Sequence, residues 1–240
     1  MKTKTPIFIT ALFITMAALL TSCFENEDPG PLQEQEKEYS ILDFDRLEVG
    51  DALNVTVEQG NIFSVKVKGD RRNIDDLEVN KLGSTLRLKY KNSNRDNRQY
   101  TTYVTITMPS LNGAVFSGAV DSKISGFETE GEFDLTLSGA STAQVGINAS
   151  KIDVGLSGAS HLNISGTADD LKAIVSGASE LGGYDLQATT ATVDASGASK
   201  IRVLATSKLN ATASGASDIR YRGNPALNSS SSGASSIGAD

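Results

Sequence analysis

The second half of the chain alternates apolar and polar positions in short bursts, and a fixed punctuation mark separates them. Ser-Gly-Ala triplets begin at Ser117, Ser138, Ser157, Ser176, Ser196, Ser214 and Ser232, at intervals of 21, 19, 19, 20, 18 and 18 residues. Five positions before a triplet stand Phe133, Ile152, Leu171, Ala191 and Leu209; three before stand Leu135, Val154, Ala173, Val193 and Ala211. The residues between them are mostly polar, as at Asp134, Asp153, Lys172, Thr192 and Asn210. This period of two turns one face of a strand inward. After each triplet a second short strand opens, at Ala143, Leu162, Leu181, Ile201 and Ile219.

Self-similarity at a period near 20 marks a solenoid, in which each turn buries its apolar face only by stacking on its neighbours. Each rung is expected to read strand, Ser-Gly-Ala-Ser corner, strand, and a polar loop such as residues 165–170. Equivalent strands of successive turns would pair as a parallel ladder about 4.8 Å apart. Parity through the corner leaves open whether Ala178 or Ser179 points inward. No segment sustains a helical period, so the fold class is all-β, a parallel β-helix-like solenoid over residues 111–240.

Residues 39–110 alternate as strands too, around Leu47, Leu53–Val57, Val65–Val67, Leu86–Leu88 and Val104–Ile106, but lack the triplet. They are expected to form an N-terminal β region that caps the solenoid. Arg71-Arg72, between Asp70 and Asp75-Asp76, reads as a mixed-charge loop.

The chain begins differently. Lys2 and Lys4 precede an apolar run, Ile7–Leu20, too short for a comfortable membrane span, and residues 1–22 read as a lipoprotein signal peptide. Leu20-Thr21-Ser22-Cys23 resembles a lipobox, which makes Cys23, the only cysteine, the lipid attachment residue. Residues 23–38 are acidic and poor in large apolar groups, and are expected to form a flexible tether.

Without Lys2 and Lys4 the chain carries 20 basic and 29 acidic side chains, which argues against a nucleic-acid partner. With no second cysteine, stability must come from packing and backbone pairing.

Candidate chemistry is sparse. Four positions after each leading Ser stand Asp121, Thr142, His161, Glu180, Lys200, Asp218 and Ser236, so His161, Glu180, Lys200 and Asp218 form a candidate surface ligand ladder. This column reads either as a charged groove for a sugar or a cation, or as a surface ladder that relieves repulsion between rungs. A single histidine excludes a multi-histidine metal site. No phosphate-cradling glycine loop precedes a helix, and the calcium-binding nonapeptide is missing. The expectation is therefore no catalytic residues, no cofactor and no metal.

The order of lipobox, acidic segment, Phe44-Asp-Arg-Leu-Glu-Val-Gly, Leu53-Asn-Val-Thr-Val-Glu-Gln-Gly, Val104-Thr-Ile-Thr-Met-Pro-Ser-Leu and Ser-Gly-Ala repeats resembles the head GIN domain family of auto-transporter adhesins. The resemblance runs from about Tyr39 to the end. It implies a right-handed β-helix-like fold on an envelope lipoprotein, and supplies no catalytic residues.

The expected function is a lipid-anchored, non-catalytic binding or adhesion module of the cell envelope. It would sit on the outer membrane, facing the periplasm or the exterior, with the membrane and a glycan or an envelope or host protein as partners. Two alternatives stand beside it: a carbohydrate-active β-helix enzyme acting through Glu180, and a structural protein that self-associates through solenoid ends. The last rests on Ser232–Asp240, which show no recognisable polar cap.

Overall fold

The computed structural model describes residues 30–92 and 98–240. The signal segment 1–22, Cys23 and the first part of the acidic segment lie outside the described residues.

Five long strands, β9 (Asp121–Leu137), β10 (Thr142–Leu156), β11 (His161–Val175), β12 (Glu180–Ala195) and β13 (Lys200–Ala213), pair in parallel and in sequence order. Each runs along one face, bends and returns along a second, so one strand supplies both halves of a turn. The segment expected as a loop, residues 165–170, stays paired inside β11. Irregularities between Val145 and Ile147 and between Ala149 and Lys151 mark the bend in β10 against β9. The solenoid makes about 7 turns.

The register is the one the triplets dictate. Phe133 pairs with Ile152, Ile152 with Leu171, Leu171 with Ala191 and Ala191 with Leu209, and all five side chains are buried. Stacking equal columns hides apolar surface at roughly 25 cal/mol per Å².

The corner explains its own repetition. Gly177 has φ 75°, the left-handed region that costs other residues a steric clash at Cβ, and a Cβ there would sit 2.4 Å from the Gly158 carbonyl oxygen. That close approach lets Ala178 N–H donate to the Gly158 carbonyl at 2.8 Å, and Ala159, Ala198 and Ala216 repeat the bond on their own rungs. The question of the corner's inward residue is answered by Ser141, Ser160, Ser179, Ser199 and Ser217, which are all buried, whereas the alanines are exposed. The buried hydroxyls stay satisfied: Ser160 donates to the Ser157 carbonyl at 2.8 Å, and Ser217 to the Ser214 carbonyl at 2.8 Å.

The N-terminal β region expected to cap the solenoid continues its ladder. β2 (Arg46–Val49), β3 (Leu53–Gln59), β6 (Thr85–Tyr90), β7 (Thr102–Met108) and β8 (Gly113–Phe116) extend the parallel ladder: β8 pairs with β9 and β2, β2 with β6, and β3 with β9 and β7. Antiparallel strands close the edges beyond them. β4 (Ser64–Asp70) covers β7, β1 (Glu34–Tyr39) covers β4, and β5 (Leu77–Leu82) covers β6.

β1 corrects the tether expected to reach residue 38. Its acids, which composition marks as solvating, find cations across the strand: Glu36 lies opposite Lys68, Glu38 opposite Lys66, and Glu34 pairs with Lys68 at 2.9 Å. The expected loop at Arg71–Asp76 is a one-turn helix, α1. Asp70 caps it, accepting from Arg72 N–H at 2.9 Å and from Gln33 N–H at 2.9 Å. The Arg72 guanidinium, 2.7 Å away, holds this buried carboxyl well below the usual carboxylate range, with the two backbone donors assisting against the effect of burial.

On the last turn β14 (Asp218–Arg222) and β15 (Ala226–Ser231) pair with β13, and β16 (Ser236–Ala239) pairs with β14. Here the columns become partly polar, because Ser229 follows Ala211 and Ser231 follows Ala213, while Leu227 follows Leu209 and is 44% exposed.

Candidate binding site

The strand register brings His161, Glu180, Lys200 and Asp218 into one outward row, with Cα partners His161 to Glu180, Glu180 to Lys200 and Lys200 to Asp218. The charges do not pair along that row. Glu180 forms its ion pair with Arg202, and Asp218 pairs with Arg220 at 3.1 Å. The Ser236 hydroxyl, then Arg220, hold the Asp218 carboxyl below its usual range against partial burial. Among the described residues Lys200 has no ion-pair partner.

Among the described residues the His161 side chain has one hydrogen-bond contact, Asn163, whose Nδ2 lies 3.1 Å from its Nε2, and no serine or acid there hydrogen-bonds to it as a triad would require. Arg202 and Arg220 were missed by the sequence reading. They stand two residues beyond the ladder row and therefore share its face, a signal present in the same count from the triplets. Farther along, the Arg222 guanidinium lies 4.0 Å from the Tyr184 ring centroid and pairs with Asp240 at 3.0 Å. Most charges of this surface are thus paired within it, and exposed pairs of this kind contribute about 0–1 kcal/mol each.

A second surface lies on the face formed by β6, β2, β8 and the later halves of β9, β10 and β11. An open cleft of about 500 Å³ crosses it. Registration sets two outward rows side by side. One contains Arg46, Gly113, Asp134, Asp153 and Lys172; the other contains Glu48, Val115, Thr136, Gly155 and Ile174.

Gly113 shapes the first row. Arg46 passes over it to pair with Asp134 two strands away, and a Cβ at 113 would lie 2.7 Å from Arg46 Nη2. In the second row Gly155 leaves a gap between Thr136 and Ile174, and nothing closer than the Thr136 hydroxyl at 3.7 Å would meet a Cβ there. Val115 and Ile174 are 43% and 50% exposed, aliphatic groups left in solvent on either side of Thr136 and Gly155.

Glu132, Asp134 and Asp153 bring carboxylate oxygens within 4.8 Å of one another. This is the grouping among the described residues closest to a metal site, but it carries its own cations. Lys151 pairs with Glu132 and, at 3.0 Å, with Asp153, while Arg46 takes Asp134. Glu132 and Asp153 together raise the Lys151 pKa above the ordinary lysine value. Asp153 Oδ2 is engaged by Lys151, and Oδ1 has no hydrogen-bond partner.

These features define a β-solenoid that presents ordered outward rows and an open, mixed-polarity cleft. The family described as "Putative auto-transporter adhesin, head GIN domain" matches residues 43–225, and the chain belongs to it. Solved structures share the fold. A "putative adhesin" from Bacteroides fragilis NCTC 9343 is 23% identical with a TM-score of 0.81, the match covering 87% of this chain and 97% of that one. A "putative lipid binding protein" from Parabacteroides distasonis ATCC 8503 is 21% identical with a TM-score of 0.68, covering 86% and 96%. A "putative adhesin" from Parabacteroides merdae ATCC 43184 is 16% identical with a TM-score of 0.68, covering 89% and 98%. No curated protein matches the sequence.

Proposed function

We propose that the protein is a non-catalytic binding module of the cell envelope, tethered through a lipid on Cys23, that adheres to a ligand through the outer face of its solenoid. The observation that carries this reading is the cleft between Arg46 and Lys172. It is an open, rigidly registered surface on strands, offering both charged and aliphatic groups to a partner. Family membership supports an adhesive role and a cell-envelope or surface location.

Catalysis draws no support from the same geometry. Asp134 and Asp153 lie close together in the cleft, but each is bound to a cation, Arg46 or Lys151. Glu180, the acid of the enzymatic alternative, is tied to Arg202. A general acid needs a carboxyl free to hold and release a proton beside the substrate.

Anchorage rests on the Cys23 motif. No helix among the described residues is long and apolar enough to cross a membrane. One acylated cysteine carrying more than one chain is sufficient for stable attachment, at about 0.8 kcal/mol per buried CH₂. The test is attachment of cells producing the full chain to immobilised extracellular matrix and to other bacteria, against cells lacking the gene. Greater attachment is expected, and equal attachment by both strains on every surface would overturn the reading.

A further inference from the structure

Resting on that reading, we infer that the cleft over β8–β11 is a saccharide subsite for an uncharged glycan, lying along the solenoid axis with one sugar ring seated over Gly155.

The argument begins with charge. Arg46, Arg87, Lys151 and Lys172 at and beside the cleft face Glu48, Glu132, Asp134, Asp153 and, next to Ile174, Asp194, so the carboxylates exceed the cations by one. In a chain with a formal net charge of −7, this patch would repel a polyanion and carries too small an excess to recruit a polycation. A purely apolar ligand is equally ill-suited, because one whole side of the cleft is the ionic row.

A polyhydroxylated ring satisfies both sides. Its hydroxyls donate to carboxylates and accept from ammonium groups, and charge-assisted bonds of this type are about twice as strong as neutral ones. Asp153 Oδ1, which is buried and has no partner, becomes an acceptor for such a hydroxyl once the carboxylate turns it toward the cleft. Lys172, the next residue along the row and without an ion pair among the described residues, supplies the donor. The C–H face of the ring then lies against Ile174, whose half-exposed side chain is otherwise an aliphatic group in water.

Shape completes the case. Val115 and Ile174 stand three strands apart, about 14 Å at the usual strand spacing. Between them Thr136 is small and Gly155 has no side chain, so the floor is lowest where the aliphatic wall and the unpaired polar groups meet. The missing side chain is not demanded by the backbone, since a Cβ at 155 meets only ordinary contacts. A glycine kept where a side chain fits leaves room for something else.

The experiment uses the full chain in detergent and calorimetric titration with cellohexaose, maltohexaose and mannohexaose, with trigalacturonate and a heparin hexasaccharide as charged comparators. At least one neutral oligosaccharide is expected to bind better than both charged ones. Gly155→Val, which fills the floor, is expected to weaken that binding about tenfold or more, because a blocked pocket loses its main contacts. Lys200→Ala on the other face should leave it unchanged. Ile174→Asp, an exposed substitution, provides the same readout if Gly155→Val fails to fold. Binding only of the charged sugars, binding of none, or neutral binding that survives both cleft substitutions would overturn the inference. If cells still attach in the assay above while no neutral sugar binds, the inference falls and the adhesive reading stands.

Discussion

Arg46 on β2 and Asp134 on β9 form an ion pair across the full width of β8, made possible because the residue between them is Gly113. This pair joins the N-terminal turns to the repeat-bearing turns on the outer surface, where the backbone ladder already joins them. Both side chains are 42% exposed, so the pair itself contributes little.

The first prediction separates the pair from the glycine. Arg46→Ala is expected to lower stability by less than about 1 kcal/mol. Gly113→Ala should cost more than Arg46→Ala, because its Cβ meets the Asp134 carbonyl oxygen at 3.0 Å as well as the guanidinium. Urea denaturation of the two variants and the double variant would check the order. Equal losses would mean that the backbone contact is relieved without strain.

The corner supplies a sharper contrast. Gly177→Ala places a Cβ in the left-handed region and against the Gly158 carbonyl, and a loss above about 2 kcal/mol is expected from the two effects together. Ala178→Ser, one residue on and exposed, should change stability by no more than about 0.5 kcal/mol. Chemical denaturation of both variants tests the assignment of inward and outward positions, and a destabilised Ala178→Ser protein would contradict it.

Buried serines make a third test. Ser217 donates to the Ser214 carbonyl at 2.8 Å and lies 3.1 Å from the Ala195 carbonyl. Replacing it by alanine removes the donor and leaves carbonyls underbonded, at an expected cost of about 1 kcal/mol. The same change at Ser214, whose side chain is only partly buried, should cost less.

Acid should act through Asp70. Its pKa in the folded chain is depressed below the ordinary 3.8, so the unfolded chain binds the proton more readily. The stability from its bonds to Arg72 and Gln33 is therefore complete above about pH 4, and is lost as pH falls below that value toward the folded pKa. Asp70→Asn should destabilise the protein at neutral pH, and the gap from wild type should narrow steadily as pH falls below 4. Melting temperatures of both proteins across that range would show it. A gap independent of pH would assign Asp70 a purely geometric role.

Much of this structure was legible because the repeat is a ruler. The triplets fixed the register from Asp121 to Ser236, including the row that aligns His161, Glu180, Lys200 and Asp218. The early turns lack that ruler. Their first corner is Gly50-Asp51, where Asp51 itself takes φ 62° and its carboxylate accepts from Tyr90 N–H at 2.7 Å. Aspartate tolerates this conformation better than most residues, but nothing in its spacing announces that Gly118 will stack upon it.

The cleft was hidden for the same reason. Its charged row runs from Arg46 through Gly113 and Asp134 to Lys172, and only the pairing of β2 with β8 and β8 with β9 places the first of these beside the rest. The β1 strand was hidden by composition, since its glutamates are paired with lysines from residues 66 and 68, far along the chain. Contacts of this range leave no local trace.

The central claim is that this solenoid adheres through the cleft face. The most direct measurement is attachment of cells carrying the wild-type chain, Gly155→Val or Lys200→Ala at matched surface levels. The account predicts that Gly155→Val abolishes the attachment conferred by the protein while Lys200→Ala preserves it. Full attachment by a folded Gly155→Val chain, or loss confined to Lys200→Ala, would contradict the account.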